Sequence, residues 1–176
     1  MESKYKKIII PFFFFFLYAD PALQTGDIIL RKEANILSDL FSQIDPCGYS
    51  HTGIIVIKHN KPYVLHIEYE TSSDNLKLIP LNKFLVNSSN YAILEPKIKI
   101  DYLKLKKEIS FLQKQKIKFD SDFSLNNKNL YCTELIDYIY YKLIHRHIYS
   151  YLYKFKNKRI ITVKSILKSS YFKKIK

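Results

Sequence analysis

Cys132 is the residue of this sequence best placed to act as a nucleophile. It lies where a polar loop meets the apolar stretch LYCTELIDYIYYKLI, so it is predicted to begin a helix. At a helix N-terminus the helix dipole and unpaired N–H groups stabilise a thiolate, which would lower the thiol pKa from its usual value near 8.5. The same N–H groups can bind an oxyanion. The structural alternative is a buried, inert cysteine, because free Cys often packs as a small hydrophobe.

His51 is the residue best placed to serve as the base for that nucleophile. It directly follows the turn-forming tripeptide GYS and opens a run of β-branched residues, so its imidazole is predicted to lie at the rim of a sheet. In cysteine hydrolases a histidine takes the thiol proton while a third polar group orients the imidazole. A pair of this kind would attack an acyl carbonyl.

The third polar group can be sought in a predicted β-hairpin, which the segment GYSHTGIIVIKHNKPYVLHIEY indicates by two β-branched runs around a polar turn. Pairing Lys58 with Tyr63 across a four-residue loop places three polar side chains on the same face as His51. These candidates are His66, Glu68 and Glu70. The carboxylates have an alternative use as partners of the many lysines.

The remaining thiol and imidazoles carry weaker indications of function. Cys47 lies too close to His51 along the chain to converge with it, and His59, His145 and His147 fall in predicted surface segments. No CxxC motif and no Cys/His pair has the spacing of a zinc site, so we expect no structural metal.

The elements that must position these residues alternate between strands and helices. Strands are predicted at residues 25–32, in the two arms of the hairpin, at 77–79, 85–86 and 91–94, and near the C-terminus at 159–163. Amphipathic helices are predicted at 36–44, 101–117 and from Cys132 onward, with a last helical turn or two in the tail. The pattern indicates one α+β domain in which an antiparallel sheet packs against helices.

The N-terminal 19 residues have the layout of a secretory signal peptide. Three lysines precede an apolar run at residues 8–19, which is too short to span a bilayer as a helix. We therefore expect export to the periplasm or cell envelope and a single domain at 20–176. A membrane-anchored protein and a buried first strand or helix are the alternatives.

The charge of the chain is +13, and only three of its 29 basic residues are Arg. Lysines spread along the whole length are typical of compositional bias, whereas nucleic-acid-binding proteins cluster their charge and favour Arg. We expect no specific nucleic-acid partner. An anionic envelope or membrane surface is compatible with such a charge.

Several motifs, taken in order, resemble a known family. GDIILR, YSHTGIIV, KPYVLHI, a Pro-Leu step at 80–81, KFDSDF and YCTEL occur in the order of the YiiX-like, circularly permuted branch of the NlpC superfamily of papain-fold hydrolases. Relatives of lecithin retinol acyltransferase share that permutation. The resemblance covers residues 26–135, and His51 precedes Cys132 as the permuted order requires.

The resemblance implies roles for individual residues. Cys132 corresponds to the nucleophile, His51 to the general base and His66 to the orienting residue, with Glu68 as the fallback. Tyr131 matches an aromatic that precedes the nucleophile, and Asp120 matches the acid of a "YD..F" step in which Phe119 replaces Tyr. We assign these last two, Tyr131 and Asp120, to oxyanion or substrate contacts.

Two departures from the family pattern affect finer details. Val163 stands where Pro is expected, which bears on the substrate pocket, and the commoner residue at position 66 is Glu. The resemblance implies a circularly permuted papain-like fold. It also implies a hydrolase that cleaves a small amide, peptide or lipid acyl substrate without a cofactor. Acyl transfer would pass through the same acyl-enzyme. The alternative is a non-catalytic envelope protein that holds a ligand in the same cleft.

Overall fold

A six-stranded antiparallel sheet forms the centre of the computed structural model, which describes residues 22–33, 43–69, 76–125 and 127–176. Its strands in chain order are β1 (Ile28–Glu33), β2 (His51–Lys58), β3 (Lys61–Ile67), β4 (Leu76–Pro80), β5 (Ser88–Pro96) and β8 (Phe172–Lys174). In space they follow the order β4-β3-β2-β1-β5-β8. The α+β class expected from the sequence is confirmed.

Within the described ranges, the other complete elements are four helices and a small ribbon. The helices are α1 (Leu81–Phe84), α2 (Tyr102–Lys114), α3 (Cys132–Ile144) and α4 (Val163–Leu167), and the ribbon pairs β6 (Tyr153–Phe155) with β7 (Lys158–Ile160). Within the described ranges, no helix is long and apolar enough to cross a bilayer. The predicted helix at 36–44 lies almost wholly outside the described residues, and so does the predicted signal peptide.

The two faces of the sheet bury different sets of side chains. Ile28, Leu30, Ile54 and Leu65 point to the main core, which α2 and α3 cover with residues such as Leu105. The alternate residues of the same strands point to a smaller cluster on the opposite face, built by Ile29, Ile55, Val64 and Phe84. A β-strand sends successive side chains to opposite faces, so two buried faces explain the nearly continuous apolar runs of β1 and β2.

The predicted register of the hairpin was wrong by two residues. Lys58 pairs with Lys61 rather than Tyr63, because His59 and Asn60 form a two-residue turn with positive φ angles of 48° and 59°. Such a turn matches the right-handed twist of the flanking strands. A slip of two residues restores the alternation of faces, so each side chain keeps the face that was predicted for it.

Two other strand predictions were also wrong. Residues 85–86 form the turn that follows α1 rather than a strand. Residues 159–163 do not make one strand: β7 ends at Ile160, and α4 begins at Val163. Thr162 ends the extended stretch because its side chain caps α4 by accepting a hydrogen bond from the N–H of Ser165. The C-terminal edge strand β8 was not predicted.

The two long helices begin as predicted. Asp101 caps α2 by accepting hydrogen bonds from the N–H groups of Leu103 and Lys104, each at 3.0 Å. At the start of α3 the side chain of Tyr131 supplies no cap, and Glu134 at the third helical position accepts a hydrogen bond from the backbone of Tyr131 instead. Helix α3 therefore starts at Cys132, with its free N–H groups beside the thiol.

Candidate active site

Cys132 and His51 line the same cavity, which has a volume of about 570 Å³. The cavity lies where the N-terminus of α3 meets the start of β2. Its lining is mostly apolar and aromatic, with several polar side chains among them. The residues that form it are Glu33, Ile44, Asp45, Tyr49, Ser50, His51, Glu68, Tyr69, Phe119, Phe123, Tyr131, Cys132, Thr133, Ile160, Ile161, Thr162 and Val163. The tertiary structure thus brings together two residues that are 81 positions apart.

Cys132 is held by the backbone of both the strand and its own helix. Burial raises the pKa of its thiol to about 12, although hydrogen bonds from the backbone of Thr52 and Thr133 act in the opposite direction and Glu33 adds to the increase. The sequence predicted a lowered pKa from the helix N-terminus alone. Loss of water around the sulfur outweighs the helix-end effect, so the resting residue is a neutral thiol.

His51 is a buried imidazole with one nitrogen already engaged. Its Nε2 lies 3.1 Å from Nδ1 of His66, and the two rings meet edge to face. When His51 donates its Nε2–H to His66, its own Nδ1 is unprotonated and able to accept a proton. Burial, His66 and the Arg31 guanidinium hold the pKa of His51 well below its ordinary value, so the base is neutral at physiological pH.

His66, rather than Glu68, contacts His51. His66 is only 1% exposed. The Glu68 side chain is about a third exposed and lines the cavity, and its carboxylate lies 4.0 Å from Nδ1 of His66, the atom that contacts His51. Glu68 also lies 3.6 Å from an Arg31 nitrogen. Glu70, the third candidate, falls outside the described residues.

Arg31 and Phe84 support the imidazole pair and were not identified from the sequence. Arg31 is the cross-strand partner of His51, and its guanidinium is buried, donating to the Phe84 carbonyl and to Glu33. The same guanidinium lies 4.1 Å from the centroid of the Phe84 ring, against which His51 stacks at 5.7 Å and 29°. The sequence did contain a signal for Arg31, which is the charged residue that ends the apolar segment GDIILR. An Arg in a buried strand needs nearby carboxylates, so it indicates a polar site.

Tyr131 and Asp120 occupy different positions relative to the cavity. Tyr131 lines it, and its hydroxyl accepts a hydrogen bond of 2.8 Å from the N–H of Ile161. Asp120 is buried outside the lining, where its carboxylate accepts hydrogen bonds from Ser124 and Asn127 at 2.7 and 2.9 Å. Asp120 therefore orders the loop before α3 and does not contact the cavity.

The C-terminal segment supplies one wall of the cavity. Thr133 donates a hydrogen bond of 2.6 Å to the Ile161 carbonyl, which fixes this segment against α3. The C-terminal segment is also held by Asp45, which accepts hydrogen bonds from Tyr151 and Thr162. Val163, the residue that replaces the expected Pro, is part of this wall.

The other thiol and imidazoles lie away from this site. Cys47 is partly buried and donates to the Tyr49 carbonyl, and burial raises its pKa. His59 lies in the hairpin turn, and His147 is 55% exposed and contacts Asp137 at 2.7 Å. Among the residues described, no group of three or more His, Cys, Asp or Glu side chains is arranged to hold a metal ion.

Comparisons with known proteins bear on the family and the fold. A family model for the permuted papain-like amidase enzymes YaeF/YiiX, the C92 family, matches residues 22–174. An uncharacterized protein YiiX of Escherichia coli strain K12 is 27% identical over 127 residues. The match covers 66% of this chain but only 57% of that protein, so this chain spans little more than half the length of that relative.

A solved structure shares the fold. It is described as the crystal structure of metalloprotein yiiX from Escherichia coli O157:H7, and it matches with a TM-score of 0.72 at 19% identity. The match covers 87% of this chain and 96% of that chain. Since the family model extends over most of the sequence, the chain belongs to the permuted papain-like amidase family YaeF/YiiX.

Proposed function

We propose that this protein hydrolyses an amide or ester bond through an acyl-enzyme on Cys132, with His51 as the general base. The observation that carries the proposal is the shared cavity, which Cys132 and His51 both line, while His66 engages Nε2 of His51. A nucleophile, a base and a residue that orients the base are the three roles of a cysteine hydrolase site.

The first half of the reaction begins from a neutral pair. As Sγ of Cys132 attacks the acyl carbon, its proton moves to Nδ1 of His51, so the thiolate need not form in advance. The oxyanion that develops lies near the backbone N–H groups at the start of α3. His51 then returns the proton to the leaving amine or alcohol as the C–N or C–O bond breaks.

The second half releases the acyl group. His51 takes a proton from water, the hydroxide oxygen attacks the thioester carbon, and the C–S bond breaks as Cys132 regains its proton. An acceptor other than water would give acyl transfer by the same steps. His66 holds the imidazole in orientation through both halves but does not touch the substrate.

The cavity supports an acyl substrate with an apolar portion. Its lining combines apolar and aromatic side chains, among them Phe119, Phe123 and Ile160, with the carboxylates of Glu33 and Glu68. A small amide, a peptide or a lipid acyl group fits this combination. We place the protein in the periplasm or cell envelope, on the sequence of residues 1–19.

Trapping of the acyl-enzyme tests this function. The full chain is incubated with a panel of p-nitrophenyl esters and amino-acid or fatty-acid amides, then quenched in acid and analysed by intact mass and peptide mapping. We expect an acyl adduct on Cys132 that Cys132→Ala abolishes and Cys47→Ala leaves unchanged. Turnover that survives Cys132→Ala would refute the proposal.

A ligand-binding protein without turnover is the second candidate. The observation that favours it is the neutral thiol beside a neutral imidazole, which lacks a ready nucleophile. It predicts that panel compounds bind and shift the melting temperature, while neither wild type nor Cys132→Ala forms an adduct or product.

A further inference from the structure

The outer face of α2 combines exposed apolar side chains with a row of lysines. Its inner face is made by Leu105, Ile109 and Leu112, which are buried in the main core. Directly opposite, Leu103, Lys107, Ser110 and Lys114 follow one another at spacings of four, three and four residues, so they form one row along the helix. Leu103 is 73% exposed, and Phe111 beside the row is 52% exposed.

The charge on this face has a single sign. From residue 102 to residue 118, a range the structure describes completely, every exposed charged side chain is a lysine, and the exposed acid before it, Asp101, caps the helix. The only acid in the range, Glu108, is partly buried. The lysines are Lys104, Lys106, Lys107, Lys114, Lys116 and Lys118.

The chain enters the fold beside this face. The Tyr102 hydroxyl, in the first turn of α2, donates a hydrogen bond of 3.0 Å to the Gln24 side chain. The apolar run at residues 8–19 ends five positions before Gln24. The first described residues of the chain therefore lie beside the first turn of α2.

The aromatic C-terminal tail does not offer a comparable surface. Its side chains, among them Tyr149, Tyr151 and Phe172, pack against the domain or are buried in it. The large apolar residues that stay exposed include Leu103, Phe111 and Tyr102, all on α2.

We propose that the outer face of α2 binds the surface of a bilayer that contains anionic lipids. The lysines contact lipid phosphates, while Leu103 and Phe111 enter the boundary between headgroups and acyl chains. A nucleic acid would use the lysines but give no reason for exposed Leu and Phe side chains.

Helices α2 and α3 run antiparallel, since Lys104 bonds to the Leu143 carbonyl near the end of α3. The end of α2 therefore lies on the Cys132 side of the molecule.

Vesicle sedimentation of the full chain tests the proposal. Binding is compared between vesicles of phosphatidylcholine alone and vesicles that also contain phosphatidylglycerol. The measured quantity is the preference for the anionic vesicles, because binding that does not depend on lipid charge is common to both kinds. The double variant Lys107→Glu, Lys114→Glu is compared with Lys58→Glu, Lys61→Glu in the hairpin, which changes the net charge equally.

We expect the ratio of binding to anionic vesicles over binding to phosphatidylcholine vesicles to fall at least about tenfold in the α2 charge variant. In the hairpin variant this ratio should fall less than about threefold. Leu103→Ser with Phe111→Ser should also weaken binding to anionic vesicles several-fold. Val86→Ser, at a position outside α2 that is 59% exposed, should not. Equal losses in the two charge variants would overturn the proposal, because net charge alone would then explain binding. Unchanged binding in the apolar variant, with equal binding to RNA, would identify a general polyanion site instead.

Discussion

The pH dependence of Cys132 alkylation separates a neutral catalytic pair from a preformed thiolate. At pH 7, a thiol whose pKa is about 12 is ionised in about one molecule in 100,000, whereas an ordinary cysteine with a pKa near 8.5 is ionised in about one in 30. Only the thiolate reacts with iodoacetamide unaided. Direct alkylation of the folded site should therefore be about 3,000-fold slower than that of the same cysteine in the unfolded chain.

His51 should change the shape of the profile as well as its height. Because the pKa of His51 is held well below its ordinary value, the base is neutral from pH 6 upward and its assistance is constant. We expect the wild-type rate to be nearly flat from pH 6 to 8. In His51→Gln, which keeps most of the side-chain volume, the rate should rise about tenfold per pH unit up to pH 10, as the thiolate fraction does.

The assay is a stopped time course with iodoacetamide, in which peptide mapping by mass spectrometry counts the adduct on Cys132 separately from that on Cys47. His59→Gln, a change in the exposed hairpin turn, is the matched control and should reproduce the wild-type profile. A His51→Gln profile that levels off below pH 9 would show that the thiol pKa is not raised. If the wild-type alkylation rate falls as the pH is lowered, with a midpoint near pH 7, His51 titrates as an ordinary imidazole.

Three further predictions concern the surroundings of the site. His66→Ala should lower the flat part of the alkylation profile by about tenfold or more, and it should have no further effect in the His51→Gln background, because it acts through the imidazole. Gly53→Ala would place a Cβ 2.3 Å from a Val64 methyl, so urea unfolding should show a loss of about 1–3 kcal/mol; an unchanged midpoint would contradict the close packing of β2 on β3. Burial acts to raise the pKa of Asp45, but hydrogen bonds hold this pKa below its ordinary value. The ionised Asp45 therefore stabilises the folded state above pH 4, and this stabilisation is lost as the pH falls further. Asp45→Asn should therefore destabilise the protein at pH 7 and lose this difference near pH 2; a constant difference would rule out a role for the charge.

Local patterns were enough to place the residues that carry the chemistry on their elements. The change from polar loop to apolar stripe set the start of α3 at Cys132, and the β-branched run set the start of β2 at His51. The face shared by His51 and His66 also followed from alternation, and it survived the error in the hairpin because a two-residue slip preserves it.

Chain position did not indicate how each polar residue is used. The acid in KFDSDF was assigned to the substrate, but Asp120 accepts the N–H groups of its own loop, a pairing that depends on the folded backbone. Likewise Glu68 shares the face of His51, yet the contact goes to His66 at 3.1 Å. Alternation along a strand determines the face of the sheet on which a side chain lies. Side-chain length and the local twist of the strands determine which atoms on that face come into contact.

The sequence by itself determined the α+β class, the permuted order of base and nucleophile, and the helix that begins at the thiol, since these depend on periodicity and on residue type. Only the tertiary structure decided the electrostatics of the pair. The pKa of Cys132 depends on how much water the packed domain removes, and that of His51 depends on His66 and on Arg31, which β1 brings across from 20 residues away. Desolvation and through-space charge are sums over neighbours that are distant in the chain, so no local pattern contains them.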